Sequence, residues 1–131
     1  DYINMNKKDG IYNPIIEKAK MYIKNNYSNP ALSLDEIAGA LNISPGYLSI
    51  LFKQVSKKSF INYLTAIRME KAKELLIYSN LKTYEISYKV GYDNPTYFST
   101  TFKKNIGSKP KEYREAHMES GHGSLDPDIK S

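Results

Sequence analysis

Two sets of residues repeat at the spacing of one helix face, and each set combines at least one hydroxyl group with an amine. Within each set the members occupy positions i, i+3, i+4 and i+7, which lie on one side of an α-helix. The first reading stripe is Gly46, Ser49, Ile50 and Lys53, and the second is Thr96, Ser99, Thr100 and Lys103. Hydroxyl and ammonium groups hydrogen-bond to base edges, and a DNA major groove about 12 Å wide admits one helix. We therefore expect both stripes to read duplex DNA; the alternative for either is an ordinary solvated helix face.

Further DNA contacts are predicted beside each stripe. Lysines that follow a reading helix, and backbone amides at its start, are typical phosphate contacts. The lysines are Lys57, Lys58, Lys104 and Lys109, the amides lie near Ser44 and Asn94, and Tyr47 completes the predicted set. For any single lysine the alternative is that it only increases solubility.

The charge of the chain favours a polyanionic partner. The 131 residues carry a formal net charge of +5, a weak indicator of nucleic-acid binding when taken alone. Of the 19 basic residues, only Arg68 and Arg114 are arginines. Lysines for phosphate attraction are therefore plentiful, whereas guanidinium groups for base reading are scarce. Arg68 sits among core positions and glutamates, so we expect it to be a structural ion-pair donor.

The sequence offers no catalytic or metal-binding pattern. It contains no cysteine, which excludes disulfides, thiolate zinc sites and cysteine nucleophiles. His117 and His122 lack a matching nucleophile or metal-ligand spacing. We therefore predict no enzyme activity, no metal and no cofactor. No apolar run approaches the ~20 residues of a membrane span and no signal peptide opens the chain, so we predict a soluble, cytoplasmic protein without a membrane partner.

Apolar residues recur at intervals of three and four, which predicts an all-α fold of about seven helices. Asn13-Pro14 predicts the start of a first helix that ends near Asn26. A capping box from Ser33 to Glu36 begins a short helix, Asn42-Ile43 makes a turn, and Ser44-Pro45 begins the helix that carries the first reading stripe. The segment 34–56 is therefore a helix-turn-helix pattern.

The second half of the chain repeats this arrangement after a long connecting helix over about 60–77. Its helix-turn-helix pattern spans about 83–106: Thr83 is expected to cap the first helix, Gly91 to end it, and Asn94-Pro95 to begin the second. A last helix should open at Pro110 and end near His117. We interpret residues 1–13 as a linker or extension, 14–117 as one double helix-turn-helix domain, and 118–131 as a disordered tail.

An internal repeat relates the two helix-turn-helix segments. Glu36 pairs with Glu85 at an offset of 85 − 36 = 49, and after one inserted residue Tyr47 pairs with Tyr97 at 97 − 47 = 50. The same two offsets pair Ile37 with Ile86, Leu41 with Val90, Ser49 with Ser99, Phe52 with Phe102, Lys53 with Lys103 and Tyr63 with Tyr113. Because the serine and lysine matches lie outside the apolar stripes, generic amphipathic helices do not explain them.

From Pro14 to Arg114 the sequence resembles the AraC/XylS-type regulators. The motifs that carry this resemblance are Leu34-Asp35-Glu36-Ile37-Ala38, Tyr47-Leu48-Ser49 with Phe52-Lys53, Arg68-Met69 with Ala72 and Leu75-Leu76, Val90-Gly91-Tyr92-Asp93-Asn94-Pro95-Thr96-Tyr97-Phe98 with Phe102-Lys103-Lys104, and Pro110-Lys111-Glu112-Tyr113-Arg114. The resemblance implies a DNA-binding domain of two helix-turn-helix units joined by a long helix. Within the family, the chain is most similar to output domains of two-component response regulators from low-GC Gram-positive bacteria.

The chain departs from this family at the residue after the serine in each reading helix. Many relatives carry arginine there, whereas this sequence has Ile50 and Thr100, which excludes bidentate guanine contacts from these positions. Ile50 is either an ordinary exposed side chain or, together with Thr100, a contact to thymine methyl groups. The missing arginines also leave open a helical protein-interaction module that has kept the fold and lost base reading.

The expected arrangement on DNA follows from the two reading helices. One chain should enter two successive major grooves, about one helical turn or ~34 Å apart. The partners implied are double-stranded DNA, an N-terminal regulatory domain outside this sequence and, as a further candidate, RNA polymerase.

Overall fold

The computed structural model describes residues 13–125, with the side chains of residues 13–118. Over this range the chain forms seven α-helices and no β-strand, which confirms the all-α prediction. The helices are α1 (Pro14–Asn26), α2 (Leu34–Leu41), α3 (Pro45–Ser56), α4 (Phe60–Tyr78), α5 (Thr83–Lys89), α6 (Pro95–Ile106) and α7 (Pro110–Leu125). Within the described residues, none of these helices is long and apolar enough to cross a bilayer.

Short polar side chains set the starts of the helices, as the sequence predicts. Asn13 Oδ1 accepts hydrogen bonds from the Ile15 and Ile16 amides at 2.9 and 3.3 Å. Ser33 Oγ accepts from the Glu36 amide at 3.1 Å. Such caps satisfy backbone donors that have no partner within the helix.

Two details of the predicted caps are wrong. Glu36 does not complete a capping box, because its Oε2 accepts a 2.6 Å hydrogen bond from the Tyr22 hydroxyl on α1; this bond raises the pKa of Tyr22 above its ordinary value. Thr83 is the first residue of α5 rather than its cap. Glu85 Oε1 instead accepts from the Lys82 amide at 2.8 Å, which is the reciprocal half of a capping box.

Residues in the left-handed region end several helices. Asn42 follows α2 with φ 60°, Gly91 follows α5 with φ 109°, and Gly107 follows α6 with φ 103°. Glycine and asparagine adopt this region at the least steric cost. In the two helix-turn-helix segments the turn therefore uses a left-handed residue directly after α2, Asn42, and two residues after the end of α5, Gly91.

The described residues divide into two compact units, and the first contains residues 13–27 and 31–67. Its core buries apolar side chains from α1, the segment before α2, α2, α3 and the beginning of α4: Ile16, Ala19, Ile23, Leu32, Ile37, Ala38, Leu48, Phe52, Phe60 and Leu64. The Phe52 ring meets Tyr63 edge-on with centroids 5.3 Å apart. This packing fixes α3 against the unit and leaves its other side to solvent.

Of the described residues, the second unit contains 28–30 and 68–125. A series of ring contacts runs through it: Tyr92 to Phe98 at 5.6 Å, Phe98 to Phe102 at 5.9 Å, and Phe102 to Tyr113 at 5.6 Å between centroids. Phe98 and Phe102 are fully buried. These rings attach α6 to the unit by one side, as Leu48 and Phe52 do for α3.

Both arginines of the chain serve the fold of the second unit. The Arg68 side chain is buried, donates to the Asn29 carbonyl at 3.0 Å and lies over the Tyr92 ring. Arg114 donates to the carbonyls of Leu75, Leu76 and Ser79 at 3.4, 2.8 and 3.1 Å, so it caps the C-terminus of α4. Arg68 therefore has the structural role that the sequence predicts, but the contacts that support it are with a carbonyl and an aromatic ring, whereas the prediction was an ion pair.

The last helix is longer than the sequence suggests. α7 continues to Leu125, so the prediction of an end near His117 and a tail from residue 118 is wrong for residues 118–125. Each added residue of a helix gains one backbone hydrogen bond, and glycine costs only about 1 kcal/mol relative to alanine without removing that bond. The predicted extension at 1–12 and the tail at 126–131 lie outside the described residues.

Candidate DNA-binding surfaces

The first reading stripe lies on the solvent side of α3. Leu48 and Phe52 point into the core, whereas Gly46, Ser49, Ile50 and Lys53 are all exposed. The Ile50 side chain is 63% exposed and that of Tyr47 is 51% exposed. The prediction that this face is free to meet a partner is therefore consistent with the packing of the unit.

The second reading stripe occupies the equivalent side of α6. Thr96, Thr100 and Lys103 are exposed and Ser99 is half-buried. Tyr97, which the repeat pairs with Tyr47, is 61% exposed and joins the same surface. Sequence reasoning selected Tyr47 but omitted Tyr97, although the repeat offset identified the two as equivalent.

Capping hydrogen bonds reduce the number of backbone amides at the helix starts that can bind a phosphate. Ser44 Oγ accepts from the Tyr47 amide at 3.1 Å and Asn94 Oδ1 accepts from the Tyr97 amide at 3.0 Å. Pro45 and Pro95 have no amide hydrogen to donate. Ser44 and Asn94 therefore cap their helices, and the first-turn amides left for a phosphate are those of Gly46 and Thr96.

The hydroxyl of Thr100 is already engaged within its own helix. It donates a 3.0 Å hydrogen bond to the Thr96 carbonyl. The groups left for an outside partner are its methyl group and the oxygen lone pairs. Thr100 can therefore contact a thymine methyl or accept from a base amino group, but it cannot donate to a base while this bond persists.

Lys57 adopts a backbone conformation that lysine seldom takes. It caps the C-terminus of α3 with φ 65° and donates its amide to the Lys53 carbonyl at 2.9 Å. At the repeat offset of 107 − 57 = 50, the second unit has Gly107 with φ 103°. A side chain on a residue with positive φ lowers the free energy of unfolding by roughly 1–2 kcal/mol. Lysine at position 57 therefore makes the domain less stable than glycine would.

We expect Lys57→Gly to raise the free energy of unfolding by about 1 kcal/mol, because it removes this strain, and to weaken DNA binding at low salt. Chemical denaturation and a binding titration measure the two effects. Lys57→Ala is the matched control, since it removes the amine but keeps the strain. It should weaken binding without increasing stability, and unchanged affinity in both variants would show that Lys57 does not contact DNA.

A groove on the second unit brings predicted residues together with others that the sequence did not reveal. It has a volume of about 690 Å³. Five predicted residues line it, namely Ser99, Thr100, Lys103, Lys104 and Lys109. Thr83, Pro110 and Lys111 complete the lining. Thr83 is on α5 and Lys111 on α7, so only tertiary packing places them beside the reading helix.

Among the described residues, the predicted contact lysines form no ion pair with a carboxylate. In the part of the chain that the structure describes, the ion pairs are Lys71 with Glu74 and Lys73 with Glu70, both on α4. The hydrogen bond that the Lys73 ammonium group donates to Glu70 raises the pKa of Lys73. Over the same described residues, none of the predicted contact lysines takes part in an ion pair, so their charge is available to an anionic partner.

The described residues contain no group of three or more histidine, cysteine, aspartate or glutamate side chains that could hold a metal ion. His117 packs against the Tyr113 ring with centroids 4.0 Å apart.

Comparison with known proteins places this geometry in a family. Residues 37–116 match the family model of the helix-turn-helix domain. The chain belongs to the AraC/XylS-type helix-turn-helix family. The domain is a DNA-binding module of the kind found in transcription regulators, and the matched region contains both reading stripes.

Solved structures agree with this assignment. The C-terminal domain of AraT, a response regulator from Geobacillus stearothermophilus, is 48% identical with a TM-score of 0.78, over 79% of this chain and 86% of that one. The C-terminal domain of the response regulator yesN from Fusobacterium nucleatum is 42% identical with a TM-score of 0.73, over 75% and 95%.

A curated relative is the HTH-type transcriptional regulator in the cgkA 5′ region of Pseudoalteromonas carrageenovora, 35% identical over 79% of this chain. This chain spans 61% of that relative, and it spans 28% of the transcriptional regulatory protein YesN of Bacillus subtilis. The matched part thus corresponds to a portion of longer regulators.

Proposed function

We propose that this AraC/XylS-type domain binds duplex DNA in a sequence-dependent way, with α3 and α6 as its two reading helices. The observation that carries the proposal is the pair of equivalent polar stripes, exposed on the helices whose other sides hold Phe52 and Phe102 in the cores. In helix-turn-helix proteins the second helix of each motif enters the major groove. α3 and α6 are those second helices.

The contacts divide into two kinds. Base edges are met by the two stripes and by the exposed rings beside them, and phosphates are met by Lys57, Lys58, Lys104, Lys109 and the first-turn amides of Gly46 and Thr96. Phosphate contacts fix the register of a protein on DNA, while groove contacts carry the sequence information. Lysine supplies the former without a preferred planar geometry.

The domain acts as the output part of a larger signal-responsive regulator. The similarity to C-terminal domains of response regulators supports this role, and the remaining part is an N-terminal regulatory domain. RNA polymerase is a further partner of such a regulator. The activity is binding rather than catalysis, and it takes place in the cytoplasm with the chromosome.

We expect one copy of the domain to protect two half-sites on one face of the duplex, about one helical turn apart, because each chain supplies two reading helices. Selection from random duplexes identifies the site, and hydroxyl-radical footprinting measures the protected positions. The half-sites should resemble a direct repeat. Protection of a single groove, or a requirement for two copies on a short site, would count against two reading helices.

The second candidate function is a helical protein-interaction module. The observation in its favour is that both arginines are bound to backbone carbonyls of the fold, so neither guanidinium is positioned to read a base. The two functions differ in salt dependence. DNA binding through lysines weakens steeply with salt, whereas failure to bind any duplex at low salt would favour the interaction module.

A further inference from the structure

We propose that the groove on the second unit binds the DNA backbone through Thr83, Lys104, Lys109 and Lys111, beside the major groove that α6 enters. This inference rests on the proposed function and adds to it a phosphate-binding site with two contact residues, Thr83 and Lys111. The site is formed by three helices, α5, α6 and α7.

Charge is the first argument for an anionic occupant. Four lysines line one concavity, namely Lys103, Lys104, Lys109 and Lys111, and all four are exposed. Within the described residues none of them forms an ion pair with a carboxylate. Glu112 lies next to Lys111 in the chain, but its Oε1 accepts from the Lys109 amide at 3.0 Å. Four positive side chains around one concavity favour an anionic occupant.

Continuity with the reading surface identifies that anion as the DNA backbone. Ser99, Thr100 and Lys103 belong both to the second reading stripe and to the groove lining. A duplex contacted by the stripe therefore passes the groove, with its phosphates toward the lysines. Hydroxyl groups such as that of Thr83 are common donors to backbone phosphates.

The internal repeat shows that most residues of this groove have no equivalent in the first unit. At the offsets of 49 and 50, the counterparts of Thr83, Lys104, Lys109 and Lys111 are Leu34, Gln54, Ser59 and Ile61. Only Lys103 has a lysine counterpart, Lys53. Ile61 is 61% exposed, so the first unit has an apolar side chain where the second has Lys111. The two units therefore hold the DNA backbone by different residues.

The test removes two groove charges and compares the salt dependence of binding to the selected duplex. Removing one lysine–phosphate contact should reduce the slope of log affinity against log salt by about 0.9. We expect Lys104→Gln with Lys111→Gln to flatten the slope by about two units without changing base preference. The matched control is Lys18→Gln with Lys24→Gln, which removes the same charge from exposed positions on α1 and should leave the slope nearly unchanged.

Neutral methylphosphonate linkages in the duplex locate the contact. In the wild-type domain, a neutral linkage beside the half-site of α6 should weaken binding several-fold, and in the double variant the same linkage should have little further effect. An unchanged slope in the groove variant, or equal flattening in the α1 control, would contradict the proposed phosphate-binding site but not the proposed DNA binding. If the wild type binds no duplex at all, both proposals fail.

Discussion

Replacing Phe102 by alanine should lower the free energy of unfolding by about 3–5 kcal/mol, the usual cost of removing a fully buried aromatic side chain. Phe102 is 0% exposed and lies between the rings of Phe98 and Tyr113. Its loss opens a cavity and breaks the series of rings that attaches α6 to its unit. Urea denaturation followed by circular dichroism measures the change.

Tyr78→Ala is the control for this substitution, since Tyr78 is also aromatic but 83% exposed. Surface substitutions of this kind usually change stability by less than about 0.5 kcal/mol. Because a reading helix needs its buried side fixed before its exposed side can fit a groove, Phe102→Ala should also weaken DNA binding. A small change in stability would show that α6 does not depend on this packing.

Ile50→Arg should create a preference for guanine at the base pair facing this position. A bidentate arginine–guanine contact discriminates by ~1–3 kcal/mol, so relative affinities should change by roughly 5- to 150-fold. The Ile50 side chain is 63% exposed on the reading side of α3, so the longer residue can extend toward a base without disturbing the core. Competition binding among duplexes that differ at one base pair measures the change.

Two comparisons separate base reading from added charge. Met21→Arg places a guanidinium on α1 at a position that is 65% exposed; it should not create a base preference. Exchange of thymine for uracil removes only the methyl group that wild-type Ile50 is proposed to contact. If uracil binds equally well and Ile50→Arg leaves the preference unchanged, Ile50 lies outside the interface.

Local chemistry explains why so much of the helical pattern could be predicted. Asn13, Ser44 and Asn94 act on amides two or three residues away, and the left-handed turn at Asn42 depends on its own side chain. Such features depend on a few consecutive residues. The seven helices of the described residues therefore begin close to where the sequence indicates.

Features that depend on distant partners could not be predicted. Glu36 has the sequence position of a capping-box residue, yet its carboxylate binds Tyr22, 14 residues earlier. Arg114 reaches carbonyls 35 to 39 residues away. Thr83 and Lys111 meet α6 only through packing. The exposed sides of α3 and α6 were predictable because the apolar residues opposite them follow helical spacing, whereas the groove has no signature along the chain.

Both arginines bind backbone carbonyl groups. The side chains that attract DNA to this domain are therefore lysines, and they differ from most of those proposed to distinguish one DNA sequence from another. Lysine ammonium groups attract a polyanion from any direction and impose no plane on it, so in the proposed complex the lysines set the general affinity for DNA. In that complex, preference for one sequence rests on the reading stripes and the rings beside them, where methyl and hydroxyl groups accompany Lys53 and Lys103. Substitutions at those contacts can redirect the domain to a new site while its general hold on DNA stays the same, so target choice and binding strength are free to evolve independently.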